Sequence, residues 1–263
     1  MRSIRQTRLS LVFLVLTSCS TVALPVIRNE TGETLGANQK QISATIMTGR
    51  AIPIIPSSLE SAFATSQTTS SPFSSLVGTA SFKYGFLVNL DIRFDTVLLL
   101  TGGGWRGTVK YQLLGTPQSS NAAGNFAVSG MLSHGRYASQ GSVTYDTASS
   151  SSSTSTSSSS GSASYTQRLS TASTDISVPI SYRFSDSFAV YSGLHSFISS
   201  SEGTLDTSSL EASNFDLGIN LGLQIKIDTI RLDLESMMLK VDSPFSGSSE
   251  FTLLFGAGGS IVF

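Results

Sequence analysis

From Phe215 to Ile227 every odd position is apolar: Phe215, Leu217, Ile219, Leu221, Leu223, Ile225 and Ile227. Asp216, Gly218, Asn220, Gly222, Gln224 and Lys226 alternate with them. A side-chain period of two over such a run predicts a β-strand with one greasy face and one polar or tiny face. The same grammar sets Leu90, Ile92, Phe94 and Leu98 against Asp91, Arg93 and Asp95, and Trp105, Val109, Tyr111 and Leu113 against Arg106, Lys110 and Gln112. It returns in Ile230, Leu232, Leu234 and Met238 against Arg231, Asp233 and Glu235. Followed along the chain, the pattern predicts about ten strands, near 41–50, 79–86, 89–100, 105–115, 125–135, 174–184, 188–199, 215–227, 230–241 and 251–263. Gly, Ser and Pro179 blur the first, sixth and seventh, so eight or twelve strands also fit.

An antiparallel sandwich in water alternates as well. Strand length and turn asymmetry separate the two cases. Several runs reach ten or more residues, as a tilted membrane strand requires, whereas soluble strands usually have about five or six. Tight joints at 87–89, 185–187 and 228–229 alternate with long connections at 51–78, 136–171, 200–213 and 242–250. The predicted fold is therefore all-β, an antiparallel up-and-down transmembrane β-barrel over 41–263, with short turns at one end and long loops at the other. Charged residues make up 13% of the chain, about half the usual quarter, as expected if lipid covers much of the surface. The stretch 149–164 is nearly pure Ser and Thr, which predicts a mobile tract inside the outer loop at about 136–171.

Register then assigns the polar face. Slipping the 215–227 strand by one residue would turn Asp216 and Lys226 toward lipid, where a basic residue costs about 2–4 kcal/mol at the midplane. Lys83, Asp91, Arg93, Asp95, Arg106, Lys110, Arg183, Asp216, Lys226, Arg231, Asp233 and Glu235 are the candidate lumen residues, with both signs represented. Opposite charges in so narrow an interior are expected to pair and leave a plugged or narrow lumen. A charged constriction passing small ions or solutes would use the same residues.

At the N-terminus, Arg2, Arg5 and Arg8 precede an apolar run over 9–16 that is far too short to span a bilayer, which is the pattern of a secretion signal. Leu16, Thr17, Ser18 and Cys19 follow, and they resemble the lipobox of bacterial lipoproteins. That resemblance implies a signal peptide over 1–18, diacylation of Cys19, and, with Ser20 in the next position, sorting to the outer membrane. Cleavage further on, after Ala23, is the alternative. Residues 19–40 are expected to form a periplasmic linker, with the lipid on the periplasmic side. The chain has one cysteine, so disulfides and thiolate metal sites are excluded if it is acylated. Three of the 16 basic residues leave with the signal, against 17 acidic ones, and no basic patch argues for nucleic acid. The expected partners are outer-membrane lipids and the machineries for lipoprotein processing and barrel assembly.

The last strand, with Gly258, Ile261 and the terminal Phe263, resembles the C-terminal assembly signal of outer-membrane β-barrels, although Gly256 stands where a polar residue is more usual. Phe82, Tyr84, Phe86, Tyr182, Phe184 and Phe188 lie beside the short turns, as an aromatic girdle would. Barrel lipases and deacylases pair a His with a Ser two residues on. Here His134 is followed by Gly135 and Arg136, and His195 by Ser196 and Phe197. No P-loop, HExxH or dinucleotide fingerprint occurs, and Thr101, Gly102, Gly103 and Gly104 are expected to make a tight outer turn. The reading is a non-enzymatic surface or structural barrel without cofactor or metal; a small-solute pore and an embedded hydrolase are the alternatives.

Overall fold

The computed structural model describes residues 21–53, 74–99, 102–120, 122–147, 161–205, 208–242 and 249–263. The signal peptide, the lipobox with Cys19, the 54–73 connection and most of the Ser/Thr tract lie outside them. A short strand, β1 (Thr21–Leu24), precedes β2 (Lys40–Pro53), β3 (Ser74–Leu87), β4 (Leu90–Leu99), β5 (Gly102–Leu114), β6 (Asn125–Thr147), β7 (Gly161–Ser185), β8 (Phe188–Leu205), β9 (Ser208–Ile227), β10 (Ile230–Asp242) and β11 (Ser249–Val262). From β2 to β11 each strand pairs antiparallel with the next, and β11 returns to β2, so ten strands close into a barrel. The closing ladder joins Gly256–Val262 to Gln41–Met47, so over that height the wall has no free edge. Phe263 and Lys40 exchange backbone hydrogen bonds at 2.9 Å where the ends of the wall meet.

The alternation is carried out as the polar groups demand. Along β4 the side chains are alternately buried and exposed, Asp91, Arg93 and Asp95 inward and Ile92, Phe94 and Leu98 outward. Along β9, Leu217, Ile219, Leu221 and Leu223 point out and Asp216, Asn220 and Gln224 point in. Soluble monomers rarely expose contiguous apolar patches beyond a few hundred Å². An apolar band on every strand instead suits a bilayer, which the closed wall can cross with all backbone groups satisfied. At the short-turn end Tyr182 and Phe184 pack edge to face at 4.8 Å, and Phe184 lies 5.7 Å from Phe188, all three on the outside.

Several connections are shorter than the pattern predicts. β6 continues to Thr147 and β7 begins at Gly161, making them 23 and 25 residues long, about twice what a tilted membrane strand needs. β8 and β9 likewise extend through most of 200–213. Apolar alternation fades there because Ser, Thr and Gly dominate the sequence. The ladder continues nonetheless, helped by bonds such as Thr171 Oγ1 to Ser201 Oγ at 2.7 Å. Gly102, Gly103 and Gly104 are strand residues of β5 rather than a turn. A Cβ on Gly102 would lie 2.0 Å from the Ala138 carbonyl oxygen, so the close approach to β6 requires glycine.

The largest departure concerns residues 19–40, expected as a periplasmic linker. β1 pairs with the far end of β2, Thr21 opposite Pro53 and Leu24 opposite Arg50, at the long-loop end of the barrel. The chain then descends through the lumen and leaves at the short-turn end, where β2 begins. Leu24, Val26, Ile27, Arg28, Glu30, Thr31, Glu33, Thr34 and Leu35 are all buried. The segment has no period of its own; it fills a space whose walls are already built.

Exposure of the outer face gives a direct test. Ile219→Arg should destabilise the barrel in lipid by about 2–4 kcal/mol, whereas Glu211→Arg, on the exposed far extension of β9, should change it by less than about 0.5 kcal/mol. Denaturant titration in vesicles reads both; equal effects would contradict the assigned membrane face.

Candidate functional site in the lumen

The interior has two layers. Toward the long-loop end, Leu24, Val26 and Ile27 of the inner segment pack with Met47, Val77, Val97, Tyr137, Leu169, Phe197, Met237, Leu239 and Leu254, all inward-facing and buried. Apolar side chains on the lumen face are absent from the sequence expectation. Their trace in the sequence is a local break in alternation, as at Met237, Met238 and Leu239, where both faces become apolar. This layer makes room for the segment with small residues. A Cβ on Gly256 would lie 2.8 Å from Ile27 Cγ2, and one on Gly258 2.6 Å from Asn29 Nδ2. The two glycines on the lumen side of β11 therefore serve close packing against the inner segment.

Below it lies a polar layer. On β3, β4 and β5, register sets Lys83 opposite Arg93, Asp91 opposite Lys110, and Asp95 opposite Arg106, all facing inward. Asp95 accepts from Arg93 Nε and from Arg106 Nε, each at 2.5 Å. The inner segment completes the set. Glu30 accepts from Lys83 at 2.7 Å, Arg93 Nη1 at 2.8 Å and Lys110 at 2.9 Å. Glu33 meets Arg183 side-on, Oε1 accepting from Nε at 3.0 Å and Oε2 from Nη2. Asn125 Nδ2 also donates to Glu33 Oε1 at 2.8 Å. Arg28 supplies the opposite sign, its Nη2 lying 2.7 Å from Asp175.

The segment's backbone is bound with equal care, because an irregular strand inside a barrel has no ladder of its own. Asn29 N donates to Glu235 Oε2 at 2.6 Å, Thr34 N to Gln112 Oε1 at 2.8 Å and Leu35 N to Asp91 Oδ2 at 2.9 Å. Gly32 N donates to Ser181 Oγ at 3.0 Å, and a Cβ there would stand 2.2 Å from the Ala127 carbonyl oxygen. At the short-turn end the connection between β5 and β6 folds beneath the lumen as a 3-10 turn at Gln118–Ser120. Gln118 N donates to Thr34 O at 2.7 Å, and Arg231 Nη1 donates to the Gln118 side chain. The barrel thus grips the segment from both the wall and below.

Lys83, Asp91, Arg93, Asp95, Arg106, Lys110, Arg183, Asp216, Arg231, Asp233 and Glu235 are buried inside the barrel, and Lys226 is half-buried near the short-turn end. Ile261 and Phe263 face outward, exposed, while Gly258 faces Asn29. Only part of this charge pairs across the wall, as Arg93, Asp95 and Arg106 do. Lys83, Lys110 and Arg183 turn instead to carboxylates of the inner segment, pairings that strand periodicity does not predict. The histidines part company. His134 is exposed on the outer face, edge-on to Trp105 at 6.2 Å between ring centres. His195 is buried in the lumen with Nδ1 3.8 Å from Asp175 Oδ1. Asp175, which links it to Arg28, escaped notice because Ser and Thr surround it in sequence.

No protein-family model and no curated protein sequence matches the chain. Among solved structures it is similar to the outer membrane protease OmpT from Escherichia coli, at 9% identity and a TM-score of 0.49, over 90% of this chain and 100% of that one. The attachment invasion locus protein Ail of Yersinia pestis is 9% identical over 86% of this chain and 99% of its own, with a TM-score of 0.36. The N-terminal β-barrel domain of Pseudomonas aeruginosa OprF is 11% identical over 87% and 99%, with a TM-score of 0.32. These likenesses add no functional detail to what the barrel's own geometry shows.

Removing one partner from a buried ion cluster strands the others without solvent. Glu30→Gln should therefore destabilise the protein by about 3–5 kcal/mol. Glu202→Gln, on the exposed extension of β8, should cost less than about 0.5 kcal/mol. Unfolding midpoints of the two variants in one detergent decide it.

Proposed function

We propose that this chain is a bacterial outer-membrane β-barrel lipoprotein with a non-enzymatic role in envelope structure or surface contact, its lumen closed by its own N-terminal segment. The observation that carries the reading is the burial of residues 24–36 inside the barrel, anchored at Asp91, Asp175, Arg183 and Glu235. A closed interior favours the structural role over the small-solute pore. The wild-type protein should show no steady conductance in planar bilayers; a stable ion-selective open state would establish the pore instead. The embedded-hydrolase reading is tested by lipase, deacylase and protease assays with His134→Ala and His195→Ala controls. Histidine-dependent turnover would overturn the non-enzymatic reading.

Lipidation of Cys19 belongs to the same proposal, with a changed side. Only Ser20 separates Cys19 from Thr21, and β1 pairs with the end of β2 remote from Phe263. In a barrel whose short turns face the periplasm, this supports an acyl group at the outer face instead of the periplasmic one. An epitope placed between Ser20 and Thr21 should be stained on intact cells, and intact mass should show an acylated chain beginning at Cys19. Staining only after the outer membrane is permeabilised would return the N-terminus to the periplasm.

A further inference from the structure

We propose that the polar layer of the lumen is a binding site for small oxyanions, carboxylates or phosphates, which Glu30 and Glu33 fill in the closed barrel. The inference rests on the reading of the barrel as closed by its inner segment. Glu30 receives three cationic groups, Lys83, Arg93 and Lys110, at 2.7–2.9 Å, and all three are buried. Glu33 lies in the fork of Arg183, the planar two-point geometry by which a guanidinium recognises carboxylate or phosphate.

These four cations project from β3, β4, β5 and β7, so they remain on the lumen face of the wall whatever the inner segment does. Two carboxylates of the wall stand beside them. Asp95 accepts from both Arg93 and Arg106, and Asp91 accepts the backbone N–H of Leu35. Taking the two glutamate carboxylates away leaves Lys83, Arg93, Arg106 and Lys110 facing Asp91 and Asp95, a net positive cluster at low dielectric, which attracts anions and repels cations. The segment's carboxylates are thus a tethered stand-in for the ligand, and the ligand's charge and shape follow from theirs.

The full-length Glu30→Ala/Glu33→Ala variant, which removes both carboxylates and clears the space they fill, tests this with inorganic phosphate and succinate as probes. Its unfolding midpoint should rise with the concentration of either probe, as binding to the folded state alone requires. Chloride at equal ionic strength should not reproduce the rise, and the wild type should respond to neither probe. Adding Lys83→Gln and Lys110→Gln should abolish the response, and any conductance of the double variant should be anion-selective. A folded variant indifferent to both probes, or one selecting cations, overturns the proposal. Should the double variant fail to assemble, Glu30→Ala alone is measured in the same way. Steady conductance by the wild type would sink the closed-barrel reading itself, whereas a silent wild type with an indifferent variant sinks only the oxyanion site.

Discussion

A charge inside a closed barrel wall has neither bulk water nor a free edge to turn to, and an ion taken out of water without a partner costs several kcal/mol. The strands of this protein must point their polar face inward, because the outward face meets the bilayer. Lys83, Arg93, Lys110 and Arg183 are therefore committed to the interior by the same alternation that builds the wall. Their neutralisation by Glu30 and Glu33 is what couples the irregular inner segment to the regular barrel. Around that coupling the rest is arranged: glycines on β11 that leave space, an apolar layer above, and a folded-back turn below.

The wall was legible in the sequence because its determinants are local and periodic. One greasy face every second residue is enough to find β4, β9 and β10 and to count ten strands. Where Ser, Thr and Gly dominate the sequence, as in the far halves of β6 and β7, the period vanishes while hydrogen bonding between strands continues, so these strands outrun the pattern. The reverse happens at Met237 and Leu239, where an apolar layer inside the barrel turns both faces greasy.

The inner segment was not legible for a different reason. Residues 24–36 have no regular backbone period, and their partners lie far along the chain: Glu33 with Arg183, Asn29 with Glu235. The apolar residues Leu24, Val26 and Ile27 are one trace, because a solvated linker would leave them in water, whereas the charges Arg28, Glu30 and Glu33 fit a linker as well as a lumen. Gly256 is a second trace. It looked like an imperfection in an assembly signal, and it is where Ile27 packs. Both signs become readable only when the chain is imagined inside its own barrel, a long-range arrangement to which no local rule points.

The most direct test of this account is a double-mutant cycle between Glu33 and Arg183, using Glu33→Gln, Arg183→Gln and the pair in reversible unfolding experiments. Residues sharing a buried network couple by about 0.5–3 kcal/mol, whereas independent ones add within about 0.3–0.5 kcal/mol. A segment seated in the lumen predicts coupling in the first range. Simple additivity would mean that Glu33 does not meet Arg183, and that the N-terminal segment lies outside the barrel.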